Sequence, residues 1–481
     1  MKIRVFALLL CVIVLSSAQV LETVIRLRYA PFYQYHIPES NKLYVLTNVW
    51  PDAQAFYIYV VDCNRQLVTG MIDTRNTEGG ELQSVVLLPQ YHKLYWGVWY
   101  GSSPDTPGLM VVDPRNDSVI NRLPIGVEAM GYSPTSDRLV TTAYKDDWLC
   151  GDIFILDPGA DTVVRKIEEY PLGRLIWWDS VSNKMFIPSG QLFARADWVM
   201  VLDCERGEVS RVLRTGLPAP TAGCHLPRHR KLYLESMTYR GVVVIDCDRE
   251  EVIGRIEGIC SLGDFEHGFY PVYCEQEDKV YFPSSVERPA GLMGDTLLII
   301  DPKLDSIVGG IHLQPWVTRS LNYRAGTFMG MDYAPWSNRL YVVSCTAGQG
   351  VVRSFISVYD CATDSLIGLT TVDVFLMRLF CNPVDHKIYA LCFPESAIYV
   401  FRDSLVGVEE RGVVSLPAEA EPTLVRSILY LPERAGAAGK PVLVDITGRR
   451  VRELVPGAND VRGLTPGVYF VRSNAGMERK V

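Results

Sequence analysis

The chain has no dense cluster of Lys and Arg. Its 47 basic residues are outnumbered by 55 acidic ones, giving a formal net charge of −8 and a pI near 5.5. Proteins that track phosphates need a concentrated basic surface, so nucleic acid is excluded as an expected partner. No C-x-x-C pair occurs among the 12 cysteines, which argues against a structural zinc site of the familiar spacing. G-x-S-x-G, H-E-x-x-H and phosphate-cradling Gly loops are also absent, so nothing asks for catalysis and no cofactor is implied. Beyond the N-terminal residues no run is long and apolar enough for a membrane helix, so no transmembrane segment is expected in the mature chain. No stretch keeps the period of an amphipathic helix.

Residues 1–18 read as an export signal. Lys2 and Arg4 supply the positive start, Val5 to Leu15 the short apolar run, and Ser16-Ser17-Ala18 the small residues at a cleavage point, so the mature chain begins near Gln19. Eleven cysteines follow Cys11. Cys63, Cys204, Cys247 and Cys361 each come directly after an Asp at the same place in different repeats, too far apart to bridge. A disulfide involving Cys345, Cys381 or Cys392 is not assignable from sequence.

The dominant feature is a phrase repeated eight times, a basic residue, an apolar residue and usually an aromatic. It occurs at Lys42-Leu43-Tyr44, Lys93-Leu94-Tyr95, Arg138-Leu139-Val140, Lys184-Met185-Phe186, Lys231-Leu232-Tyr233, Lys279-Val280-Tyr281, Arg339-Leu340-Tyr341 and Lys387-Ile388-Tyr389. The middle residues are 51, 45, 46, 47, 48, 60 and 48 positions apart. That is the period of four short strands plus turns, the unit of a radial β-propeller blade. In the third repeat, strands are predicted at Gly131–Pro134, Arg138–Ala143, Ile153–Leu156 and Val163–Ile167, bounded by Asp, Pro and Gly. An Asp ends the third strand in seven copies (Asp62, Asp113, Asp157, Asp203, Asp246, Asp301, Asp360), and a second follows at Asp117, Asp161, Asp305 and Asp364. These suit tight turns fixed by carboxylate–backbone hydrogen bonds better than calcium loops, which need more oxygen ligands and a Gly bend.

The Lys-Leu-Tyr-Val run at Lys42 with its counterparts, and the Val-Ile-Asp run at Val244 with its relatives, resemble the YVTN family of β-propeller repeats. The resemblance implies a fold over roughly residues 21–407 and no activity. Its members commonly have seven blades, whereas eight phrases here favour eight, with Glu22 to Leu27 supplying the last strand and closing the ring.

Blade connections of the first-to-second and third-to-fourth kind are short and uniform, while the opposite face carries long irregular loops, the usual place for binding residues on a rigid scaffold. Those loops hold Trp96, Trp99, Tyr100, Trp148, Trp198, Tyr239, Arg240, His267, Trp316, Arg319, Tyr323 and Arg324. Aromatic rings with nearby Arg suit stacking on sugars or gripping peptide side chains, so a glycan, a peptide or a surface protein is the expected partner. At least one of Trp177 and Trp178, on an inner strand, is expected in the core. Cys224 and His225 are adjacent on a strand and point to opposite faces, so they form no dyad. Asp146, Asp147 and Asp152 crowd one loop, where solvated charge is the plainer reading than a cation site.

Composition changes after Val408. Residues 408–424, rich in Ala, Glu and Pro, read as a linker, and 425–481 as a small β-sandwich with turns at Gly448-Arg449 and Pro456-Gly457. The runs Asp445-Ile446-Thr447-Gly448-Arg449-Arg450-Val451 and Leu464-Thr465-Pro466-Gly467-Val468-Tyr469-Phe470-Val471-Arg472 resemble the C-terminal sorting domain of the Por (type IX) secretion system. That resemblance implies the type IX machinery as a partner, Gly448, Arg449, Gly467 and Tyr469 as motif residues, and delivery to the cell surface or medium. The sequence thus predicts an all-β protein: signal peptide 1–18, propeller 19–407, linker and sorting-type domain. Its expected role is a non-catalytic binding scaffold, with a propeller lyase or hydrolase using Asp146 and His267, or a surface-layer component, as the alternatives.

Overall fold

A computed structural model describes residues 19–48, 56–74, 81–99, 108–144, 151–170, 175–189, 197–217, 220–236, 240–260, 270–284, 296–313, 327–348 and 351–403 of the first part of the chain. Of the C-terminal part it describes 428–431, 441–445, 449–455, 457–461, 464, 469–473 and 476–480. The chain divides into two compact units, 1–407 and 408–481.

The first unit consists of eight four-stranded antiparallel sheets, an eight-bladed propeller. Blades 1 to 7 span 30–73, 81–123, 129–170, 177–214, 220–260, 272–312 and 327–372. Blade 8 takes three strands from 377–403 and its fourth from Gln19–Arg26, which pairs antiparallel with Ala397–Asp403. The N-terminal strand therefore closes the ring. First strands of neighbouring blades approach one another, which sets them innermost.

Each repeated phrase opens the second strand of its blade, as in Lys42–Asn48, Lys93–Trp99 and Lys231–Ser236. In blade 3 the predicted strands appear at Ala129–Ser133, Arg138–Tyr144, Gly151–Asp157 and Thr162–Tyr170, with Val140 paired to both Gly131 and Ile155. Second and third strands lie between two other blades, so both of their faces are buried. Leu94 and Trp96 pack toward Tyr44, Ile58 and Val60 of blade 1, while Tyr95 between them packs with Leu139 of blade 3 and with Val127 just before that blade. Continuous apolar runs, rather than alternating ones, are what such strands require.

Seven blades carry a bulge at one place in the fourth strand, where two residues oppose one. In blade 3 Ile155 pairs with Arg165 and Leu156 with Val163, leaving Val164 extra. The same shift occurs beside Val60, Val111, Val201, Val244, Ile299 and Val358. A bulge twists the outer strand and turns its extra residue outward, which accounts for the exposed Ile120, Val164, Ile253 and Val308.

In the second unit, Arg450–Glu453, Val442–Asp445, Tyr469–Ser473 and Gly476–Lys480 form one sheet in that order, and Ile428–Leu431 pairs with Gly457–Asp460. Leu443, Leu454, Val461 and Val471 are its small core, with Tyr469 packed against them. Arg449 is exposed, and Gly448 and Gly467 lie outside the described residues. Among the described residues no helix is long and apolar enough to cross a membrane, which says nothing of crossing by strands.

Candidate ligand-binding face

The face with the short turns is a set of locks between blades. Lys42 and Tyr44 of blade 1 both reach Asp117 in the third-to-fourth turn of blade 2: Lys42 Nζ lies 2.8 Å from Oδ2, and the Tyr44 hydroxyl donates to Oδ1 at 2.5 Å. Lys93 and Tyr95 do the same to Asp161 of blade 3, Lys231 and Tyr233 to Asp305 of blade 6, and Lys279 and Tyr281 to Asp364 of blade 7. Arg339 and Tyr341 reach Asp403 of blade 8, and Lys184 reaches Glu250 of blade 5. Burial and the neighbouring carboxylate push each of these tyrosines well above its ordinary pKa, so the hydroxyls stay donors.

The turn geometry explains the acceptors. In blades 1 to 7 the Asp ending the third strand accepts backbone N–H groups two or three residues on, as Asp203 does from Glu205 and Arg206. This closes the turn and puts the residue four positions on into the left-handed region, with φ of 58° at Asp117, 52° at Asp161 and 47° at Asp305. Asp tolerates that conformation better than bulkier residues. Blade 4 has Gly207 at this position (φ 63°), and the preceding blade has Arg138 and Val140 where Lys and Tyr stand elsewhere. The acceptor and the Tyr hydroxyl of that lock are missing together, although a basic residue remains. At the ring closure Gln66 takes the acceptor position of blade 1, and Tyr389 bonds to Asp385 of its own blade at 2.6 Å and to the Cys63 carbonyl of blade 1 at 3.3 Å.

A second motif lies on the same face. The aromatic residue five positions before the left-handed residue of the first turn bonds to its side chain: Tyr132 to Asp137 at 2.7 Å, Trp178 to Asn183 at 3.2 Å, Tyr273 to Asp278 at 2.8 Å, Tyr333 to Asn338 at 3.1 Å, and His36 to Asn41 at 3.0 Å.

The loop face holds a different chemistry. Its described rim carries Arg guanidinium groups over aromatic rings. Arg28 lies 5.2 Å from the centroid of Tyr29, which stacks on Tyr57 at 5.2 Å and 6°. Arg378, at the start of the inner strand of blade 8, sits 5.2 Å from Phe32 and 4.9 Å from Tyr33 of blade 1. Across the ring, Arg214 lies 4.3 Å from Trp198, held by Asp197 at 2.7 Å. Lys166 reaches Asp152 at 3.0 Å and Glu168 at 2.8 Å.

Of the residues singled out by sequence, Trp198 is at this rim. Trp96 is corrected: it is fully buried between blades 1 and 2, because it sits on a second strand whose two faces are both covered. Trp177 packs into the core between blades 4 and 5, and Trp178 into that between blades 3 and 4. Tyr100, Trp148, Tyr239, His267, Trp316, Arg319, Tyr323 and Arg324 lie outside the described residues, as do the side chains of Trp99 and Arg240. Asp146 and Asp147 also fall there. Sequence reading missed Arg28, Tyr29, Tyr57, Phe32, Tyr33 and Arg378; their signal was an aromatic or Arg at the loop-side end of a strand rather than inside a loop. Cys345, Cys381 and Cys392 are buried free thiols.

No protein-family model matches the chain, and no curated protein matches it. Among solved structures it is similar to Sqt1 of Saccharomyces cerevisiae, with 9% sequence identity, a TM-score of 0.55, and coverage of 80% of this chain and 99% of that one. At that identity the likeness is one of fold: an all-β, eight-bladed propeller on this chain's own sheet topology.

Proposed function

We propose that this chain is an exported, non-catalytic propeller that binds an acidic glycan on its loop face and is carried to the cell surface or medium by its C-terminal unit through type IX machinery. One observation carries the binding part. Among the described residues, Arg groups lie over aromatic rings at three points of the loop-side rim, whereas on the opposite face the basic residues of the repeated phrase, such as Lys42 and Lys231, are consumed in locks between blades. An aromatic face accepts the apolar side of a sugar ring, and a guanidinium above it recognises a carboxylate bidentately. Export is supported by the signal-like residues 1–18, and sorting by the resemblance of residues 445–472 to Por-type tails.

The test is calorimetric titration of the full chain with a polyuronate and with a neutral glucan of similar length. Saturable binding of the polyuronate, weakened by Arg28→Ala and Arg214→Ala, is the expected result. Equal binding of both polymers, or of neither, overturns the acidic-glycan reading. Cell fractionation of the tagged chain with and without residues 425–481 tests the sorting role.

A further inference from the structure

One seam between blades breaks the pattern of the turn face. In five blades the ring side chain of the inner strand bonds to an Asn or Asp five residues on. In blade 5 the ring is His225 and the residue five on is Arg230, which holds the left-handed position (φ 56°) and has nothing to accept with. His225 Nε2 is buried and makes no hydrogen bond within its own turn. It points across the seam instead, 3.4 Å from Asp179 Oδ1 of blade 4. Cys247, in the turn after the third strand of blade 5, completes the group: Asp179 oxygen, His225 nitrogen and Cys247 sulfur all lie within 4.8 Å of one another. Asp179 and Cys247 are fully buried, and His225 is 13% exposed at its side chain.

We propose that Asp179, His225 and Cys247 form a three-residue zinc site, its fourth position left to water, that staples blade 4 to blade 5. A carboxylate, an imidazole and a thiolate are the donors Zn²⁺ takes, and this mixed set suits neither Mg²⁺ nor Ca²⁺. Two ligands about 2.0–2.1 Å from a tetrahedral ion stand about 3.3–3.4 Å apart, the spacing already present between Asp179 and His225. Arg230 and Ser182 fit as supports. Arg230 Nη1 donates to Asp179 Oδ1, the oxygen that also faces His225, and the Ser182 backbone N–H and hydroxyl donate to Oδ2, as outer groups do to ligating carboxylates. Arg230 is in turn paired with Asp248. As the metal enters, the Cys247 thiol gives its proton to solvent and binds as the thiolate. The ligands come from two blades and are far apart in sequence, so no short motif marks them.

Cobalt substitution of the full-length protein tests this directly. After chelator treatment, one equivalent of Co²⁺ is expected to give visible d–d bands of a tetrahedral ion and a near-ultraviolet thiolate-to-cobalt band, both removed by an equivalent of Zn²⁺. Cys247→Ser is expected to abolish the thiolate band and His225→Gln to weaken Zn²⁺ binding at least about tenfold. Cys204→Ser, at the same place in blade 4, is expected to change neither. X-ray absorption of the zinc-loaded wild-type protein needs no variant: one sulfur at about 2.3 Å and nitrogen or oxygen at about 2.0 Å are expected. A featureless cobalt spectrum, a thiolate band that survives Cys247→Ser, or a first shell without sulfur overturns the site and leaves the group a plain Asp179–Arg230 ion pair.

Discussion

Lys231 of blade 5 lies 2.7 Å from Asp305 of blade 6, and the same carboxylate accepts the Tyr233 hydroxyl at 2.5 Å. The residue that begins one blade's second strand and the residue that ends the next blade's tight turn are thus one unit. The repeated phrase is a connection between repeats as much as a signature of each. Side chains of Lys231 and Asp305 are 16% and 27% exposed, so the pair is shielded enough to matter. Tyr233→Phe is expected to cost about 1 kcal/mol, and Lys231→Met about 1–3 kcal/mol by leaving Asp305 short of donors. In a double-mutant cycle with Asp305→Asn, denaturant unfolding should show a coupling of about 1 kcal/mol. Additive losses would mean that the pair, though close, does not join the blades energetically.

The seam between blades 3 and 4 is where a lock can be added. Gly207 already has the left-handed backbone that Asp117 adopts at the equivalent place. A Cβ at Gly207 would meet only the Ile155 Cδ1 atom at 3.1 Å and the flexible Arg165 side chain beyond it. Gly207→Asp combined with Arg138→Lys is therefore expected to raise stability over Gly207→Asp alone by about 0.5–1 kcal/mol. Equal melting temperatures for the two proteins would show that Arg138 already serves the new carboxylate, as Arg339 serves Asp403.

How much of this was legible in the sequence follows from range. The phrase and its spacing, a local pattern, gave the blades, their second strands and the closing N-terminal strand. The second Asp of each turn was visible as well, but its partner was not, because Lys42 and Asp117 meet only once the blades are stacked. Trp96 misled for the same reason: an aromatic near a strand end looks available until both neighbouring blades are in place. Cys224 and His225 do point apart, Cys224 into the core between blades 5 and 6, yet the thiol that approaches His225 is Cys247, from a turn with no sequence tie to it.

Asp278 gives a pH signature. Burial would raise its pKa, but His229, Tyr273 and Lys303 bond to it and hold it down to about 2. A depressed carboxylate contributes stability that is fully present above its unfolded value, near 3.8, and is lost as pH falls through the folded one. Asp278→Asn keeps the left-handed backbone and removes the charge. It is expected to destabilise by about 1–2 kcal/mol at pH 7, after allowance for its partial exposure, with the gap to wild type closing between about pH 4 and pH 2. Unfolding curves across that range check it; a gap that stays constant would assign the loss to geometry rather than charge.

Two tryptophans separate scaffold from surface. Trp96 is fully buried against Tyr44, Ile58 and Val60, with its indole N–H unpartnered among the described residues. Trp96→Ala is expected to cost about 3–5 kcal/mol through the cavity it leaves, while Trp96→Phe keeps most of the packing, removes an unpaired donor and leaves ligand affinity unchanged. Trp198 is only partly buried and carries Arg214 above its ring. Trp198→Ala is expected to shift stability by about 1 kcal/mol or less and to weaken polyuronate binding at least about tenfold, since the ring and the guanidinium it orients are lost together. Melting curves and calorimetry on both variants read the two effects separately. The contrast fails if Trp198→Ala binds as tightly as wild type, and the ligand would then have to be gripped elsewhere on the ring, with Arg28, Tyr29 and Arg378 at the seam of blades 8 and 1 the next residues to replace.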